Sequence, residues 1–133
     1  MGSVWHASPV SGSVHPSKYP RPTTSRAEAR VWELLKGQLP DGWTAWHSLK
    51  IRTRNGYLGE GDFVLAHAER GLLVLEVKGG KIECRDGRWF SNKDPLKKAP
   101  LDQARTYLSK LIERLRRDGC RPPAYGAAVA FPD

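Results

Sequence analysis

The sequence predicts an α/β domain, with a mixed β-sheet covered by helices. Two observations carry this. Segments with helical apolar spacing, at residues 25–36 and 101–118, bracket a series of short β-rich segments between residues 43 and 91. A further β-rich segment, residues 125–131, follows the second helix, so that helix and strand together read as a crossover back into the sheet. The 133 residues are one domain's worth of chain and can bury a core without disulfide staples.

Each element has its own local reason. Residues 1–24 are rich in Ser, Pro, Gly and Thr, lack apolar periodicity, and are expected to be a flexible leader to a domain spanning residues 25–133. Ser25-Arg26-Ala27-Glu28 matches a capping box, with Ser25 as N-cap and Glu28 at the third helical position. Ala27, Val31, Leu34 and Leu35 follow as one helical face, and Gly37 and Pro40-Asp41-Gly42 end it. Trp43 to Ile51 reads as extended, and Arg52 to Gly61 as a polar, Gly-rich loop. Asp62 to Ala68 and Leu72 to Lys78 read as strands joined by a turn at Glu69-Arg70-Gly71, with Gly79-Gly80 as a break. Asp86-Gly87 predicts a hairpin turn between residues 81–85 and 88–91, and residues 92–100 read as a loop. The second helix carries Leu101, Ala104, Leu108, Leu111, Ile112 and Leu115 on one stripe. Gly119 and Pro122-Pro123 end it.

Composition narrows the function classes. No apolar run approaches the roughly 18–20 residues that cross a bilayer, so a transmembrane helix is excluded. The N-terminus has no basic start followed by an apolar stretch, so a secretory signal is not expected and the chain is expected to be cytoplasmic. Cys84 and Cys120 lack the spacing of a zinc site or a disulfide framework and read as reduced thiols. Twenty-two basic against 14 acidic residues give a formal charge of +8, which favours a polyanionic partner.

The informative residue is Glu76. Leu72, Leu73, Val74, Leu75 and Val77 around it read as a central strand buried on both faces. A carboxylate there must be paired, protonated or bound to a cation, because an unpaired buried charge costs several kcal/mol. Strand periodicity places Lys78 on the same face. Taken alone, Glu-x-Lys reads as an ion pair at a strand end. Asp62 alters that reading, because a hairpin at residues 69–71 brings the start of one strand beside the end of the next. Two carboxylates, a carbonyl and water suit a hard divalent cation.

Asp62, followed by Glu76-Val77-Lys78, resembles the core of the PD-(D/E)xK nucleases. The fuller text, Gly59-Glu60-Gly61-Asp62-Phe63-Val64-Leu65 and then Gly71 to Gly80, resembles the nuclease-related domain called NERD. The resemblance runs from about Arg26 to Phe131. Gly61 stands where the superfamily's name places a proline.

The resemblance implies a restriction endonuclease-like core and a metal-dependent nuclease hydrolysing phosphodiester bonds in DNA. It implies Mg²⁺ or Mn²⁺ held by Asp62, Glu76, the Val77 carbonyl and Glu28, with Lys78 positioning the attacking water. Gln103 and Tyr107 match the QxxxY pattern of RecB-type nucleases and are implied to steady the site; as plain residues they read as a polar boundary pair on one helix face. NERD domains commonly sit beside helicase or other DNA-processing domains. A non-cleaving DNA tether on the same fold is the alternative. Arg52, Arg54, Lys81, Lys97, Lys98, Arg105 and Lys110 are candidates for phosphate contact, against the plain reading of solvated charge. Trp89 and Phe90 read first as hairpin core and second as base-stacking residues. His47 and His67 are weak ligand candidates and are left out of the expected site, since alternation turns His67 away from Asp62.

Overall fold

A computed structural model describes residues 12–53 and 56–133. Its elements, in order, are β1 (Ser13–His15), α1 (Arg26–Gln38), β2 (Trp43–Thr53), β3 (Gly56–His67), β4 (Gly71–Val77), β5 (Ile82–Arg85), β6 (Arg88–Ser91), β7 (Asp94–Pro95), α2 (Pro100–Arg117) and β8 (Tyr125–Ala130). The main sheet has the order β1-β2-β3-β4-β8. β2, β3 and β4 pair antiparallel, while β1 joins β2 and β8 joins β4 in parallel. The mixed α/β architecture read from the sequence is therefore present, with β8 returning beside β4 after α2. A second, antiparallel sheet contains β5, β6 and β7. Its first turn, Asp86-Gly87, has positive φ at both residues, as a two-residue hairpin of this twist requires.

The sheet separates two apolar layers. On the α1 side, Ala45, Phe63, Leu65 and Val77 pack with Val14, Ala27, Val31 and Trp32. On the α2 side, Val64 and Val74 pack with Ala104, Tyr107, Leu108, Leu111 and Ile112. The α1 stripe differs from expectation in one residue: Leu34 is 47% exposed, whereas Trp32 is buried and its indole N–H donates to the Pro16 carbonyl at 3.0 Å. Burying the indole against the preceding segment fixes which side of α1 faces inward.

Two other readings are corrected. Residues 12–24 are not a detached leader. Val14 is buried, Ser13–His15 pair with Thr44–Trp46, and the Arg21 N–H reaches His47. A three-residue strand with one apolar side chain carries too little period to read from sequence. The remainder of the expected leader, residues 1–11, lies outside the described residues. Within 52–61 the described residues are strand and not loop, because β2 runs to Thr53 and β3 begins at Gly56. Its glycines suit a strand that packs closely: a Cβ at Gly61 would lie 2.6 Å from the Tyr107 ring.

Inside this ribbon the alternation slips by one step on both strands at once. His47 and Phe63 stack on the α1 side, with ring centroids 4.7 Å apart. Two residues further out, Leu49 and Gly61 lie on the α2 side instead. The residues absorbing the slip are Ser48, whose φ is +57°, and Asp62 facing it. Both strands shift together, so the register is the same before and after.

Candidate active site

The slip and the end of β4 place the carboxylates. Antiparallel pairing of β3 with β4 ends at Phe63↔Leu75. One step further, Asp62 and Glu76 face each other. Asp62 Oδ2 accepts the Val77 N–H at 2.9 Å, in the position a strand carbonyl would otherwise fill. The two carboxyls are close enough that each affects the other's titration. Lys78 Nζ lies 3.4 Å from Glu76 Oε1, and the Lys78 N–H is held by the Ala130 carbonyl of β8. Gly79 follows directly, where a Cβ would come within 2.9 Å of the Ala27 Cβ. That glycine lets the first turn of α1, with Glu28, close over the end of β4.

The electrostatics follow from this crowding. Burial, then the Asp62 charge, push the Glu76 carboxyl up to about 8, against the opposing pull of Lys78. The Asp62 carboxyl is also raised, chiefly by burial and further by the charge of Glu28, while the Val77 N–H and Lys78 act the other way. Two neighbouring carboxyls in a buried site favour sharing one proton over holding two negative charges.

Glu28 reaches this cluster by charge and is held by other partners. Ser25 caps its backbone N–H at 3.1 Å, so the N-cap is present as expected. The reciprocal half of the capping box is absent, because the Ser25 N–H goes to Thr23 Oγ1. Glu28 Oε1 instead lies 3.0 Å from His47 Nε2, and the Thr23 hydroxyl donates to Oε2 at 3.3 Å. His47 Nδ1 accepts the Arg21 N–H at 2.9 Å, so its proton resides on Nε2 and is donated to Glu28. Sequence spacing alone leaves His47 out of the site, yet it is 1% exposed and orients a candidate site carboxylate. The signal that points to it is its two-residue spacing from the inward-facing Ala45. His67, by contrast, packs on Trp43, and its Nδ1 accepts the Glu69 and Arg70 N–H groups of the following turn.

Gln103, Tyr107 and Lys110 lie on one face of α2 and, with Lys98 from the preceding loop, line a cavity of about 140 Å³ over Gly59 and Glu60. Gln103 is exposed. Tyr107 is buried, its hydroxyl donates to the Leu49 carbonyl at 2.9 Å, and its ring sits over Gly61, next to Asp62. Among the candidate phosphate contacts, Arg52, Lys97 and Arg105 are exposed. Lys98 Nζ is 3.5 Å from the Thr106 hydroxyl, and Lys81 pairs with Glu83 at 3.6 Å. Arg54 lies outside the described residues. Trp89 stacks on Phe131, and Arg85 lies over Phe90, so both hairpin aromatics have partners.

Among the described residues, no three or more His, Cys, Asp and Glu side chains gather closely enough to cage an ion. The assembled donor set is the Asp62–Glu76 pair. That number fits Mg²⁺-class cations, which keep several waters and take one or two carboxylates. Among the described residues, no helix is long and apolar enough to cross a membrane.

Paired acidic side chains beside a lysine, where the pairing of β3 with β4 ends inside a mixed sheet, are the arrangement expected of nuclease-related α/β domains. A family model described as the nuclease-related domain (NERD) matches residues 23–132. The chain belongs to that family, and through it to the PD-(D/E)xK, restriction endonuclease-like superfamily. No curated protein and no solved structure gave a significant match.

Proposed function

We propose that the domain is a divalent-metal-dependent deoxyribonuclease. The observation that carries this is the buried Glu76 facing the half-buried Asp62, with Lys78 3.4 Å from Glu76. Apolar residues would stabilise the end of β4 better than two crowded carboxyls, so their presence needs a function. Asp62 and Glu76 would hold the cation, with Glu28 and the Val77 carbonyl as further donors. When bound, Mg²⁺ or Mn²⁺ lowers the pKa of its water and neutralises charge developing on the phosphate.

The chain's own residues do the rest. The Val77 N–H fixes Asp62 in place. Glu76 would give up its proton to solvent on loading. Lys78 then faces the scissile phosphate with an ammonium that orients the attacking water. The formal charge of +8 suits a nucleic acid substrate. Through the family resemblance, the proposal extends to action beside a helicase or another DNA-processing domain.

The test is cutting of plasmid and linear DNA with Mg²⁺, Mn²⁺ or chelator, alongside Glu76→Ala and Lys78→Ala. Metal-dependent cutting that both variants lose supports the enzyme. DNA binding without cutting under every condition supports a tether and overturns the proposal.

A further inference from the structure

Beside the carboxylates lies a polar cavity of about 620 Å³ that the proposed chemistry does not use. We propose that it seats one unpaired nucleotide of a DNA strand, so that the domain engages single-stranded DNA in preference to duplex. This deepens the nuclease reading and rests on it for the identity of the polymer.

The cavity exists because β1 is short. β1 covers β2 only from Thr44 to Trp46, and the outer edge of β2 beyond Trp46 is left facing the segment that carries Arg21. Its volume falls within the usual range for small-ligand sites, roughly 300–1,000 Å³.

The lining has the chemistry of a nucleotide. Arg21, Lys50 and Arg52 line it and are exposed, and none forms an ion pair among the described residues. Three cations against the single carboxylate of Glu60 leave the lining net positive, which suits a phosphate backbone. His15 and Trp46 contribute two rings inclined by 23°, with centroids 6.1 Å apart, which gives the cavity a flat aromatic surface. A base inside a duplex has both faces covered by its neighbours, so only an unpaired base can use that surface. Glu60, which also accepts the Ser48 hydroxyl, supplies an acceptor for a base edge.

The position is as informative as the lining. His47 is shared by the cavity and by the Glu28 contact, so a strand seated here lies one side chain away from the carboxylate cluster.

The test is binding of the whole chain, in chelator, to a fluorescent oligothymidine and to a blunt duplex of equal length, read by anisotropy. The single strand should bind at least tenfold more tightly. The triple variant Arg21→Ala/Lys50→Ala/Arg52→Ala should weaken single-strand binding tenfold or more. It should also reduce the slope of log K against log salt by about 2, since each phosphate neutralised on a single strand contributes about 0.7. His15→Ala should weaken binding further at unchanged salt slope. A charge-matched control, Lys36→Ala/Arg88→Ala/Lys93→Ala, should stay within twofold of wild type.

Duplex binding as tight as single-strand binding overturns the proposal, as does equal loss in the control. Cutting is measured separately with Mn²⁺. Binding as expected without cutting removes the nuclease reading and leaves the nucleotide seat standing. Cutting with unchanged binding by the triple variant removes the seat alone.

Discussion

His47 bridges the segment before α1 to the first turn of that helix. Its Nδ1 accepts the Arg21 N–H at 2.9 Å, and its Nε2 lies 3.0 Å from Glu28 Oε1. A buried imidazole thereby fixes both the backbone beside the proposed nucleotide seat and a carboxylate beside Asp62. His47→Phe keeps a ring against Phe63 and deletes both hydrogen bonds. It should cost about 2–4 kcal/mol, because two polar groups lose their partner. Denaturant unfolding measures this, and a loss under about 0.5 kcal/mol would show that the bridge contributes little.

Stability should depend on pH through Glu76. Unfolded, this carboxyl titrates near 4.5, and folded near 8. Between those values the folded state binds more protons than the unfolded one. The cation-free domain should therefore lose stability as pH rises across that window, by at most about 1.4 kcal/mol per pH unit from this group. Asp62, also raised, acts in the same direction. The quantity to measure is the difference in Tm between wild type and Glu76→Gln from pH 4.5 to pH 8 in chelator; a difference that stays flat would contradict the assignment.

Glu76→Gln should separate stability from activity. The amide keeps the shape and a hydrogen-bonding edge but cannot ionise. At pH 8 the variant should melt above wild type in chelator, near pH 5 the two should coincide, and the variant should not cut DNA under any metal condition. Mg²⁺ or Mn²⁺ should raise the Tm of wild type and leave that of the variant nearly unmoved, because a ligand stabilises only the state that binds it.

Metal loading should release a proton at pH 7, where Glu76 is still largely protonated, and much less at pH 9. Calorimetry in two buffers of different ionisation enthalpy would detect this. Equal release at the two pH values would place the cation elsewhere.

Gly61 and Tyr107 should prove interdependent. A Cβ at Gly61 would come within 2.6 Å of the Tyr107 ring, so Gly61→Ala should cost about 1–3 kcal/mol by overpacking. Tyr107→Phe should cost about 1 kcal/mol through loss of the bond to the Leu49 carbonyl. In a Tyr107→Ala background the Gly61→Ala penalty should largely vanish, which a double-mutant cycle would read directly.

Much of this site was legible because its signals are local. Glu76 stands out inside an apolar strand, Lys78 follows at strand spacing, and Asp62 is brought opposite by a short turn. The fold class was legible for a similar reason, since two long helical stripes enclose β-rich segments. What escaped depends on contacts distant in sequence. Ser13–His15 is a strand only because β2 offers it an edge. Nothing local to Trp43–Ile51 marks His47 as the partner of Glu28, 19 residues earlier. Glu28 itself has the spacing of a capping box, and only packing shows that its carboxylate turns from Ser25 to the imidazole. The glycines before Asp62 read as a loop because their reason, the ring of Tyr107, comes from α2.

The simultaneous phase shift at Ser48 and Asp62 divides one continuous ribbon into two mechanical parts. Toward Trp43 and His67 the ribbon is clasped by both helices. Toward Thr53 and Gly56 its apolar side rests on α2, and among the described residues the cluster under α1 reaches no further along β3 than Phe63. The outer half therefore rests on one helix where the inner half is held between two. The acidic pair sits at the join, where support by two helices gives way to support by one.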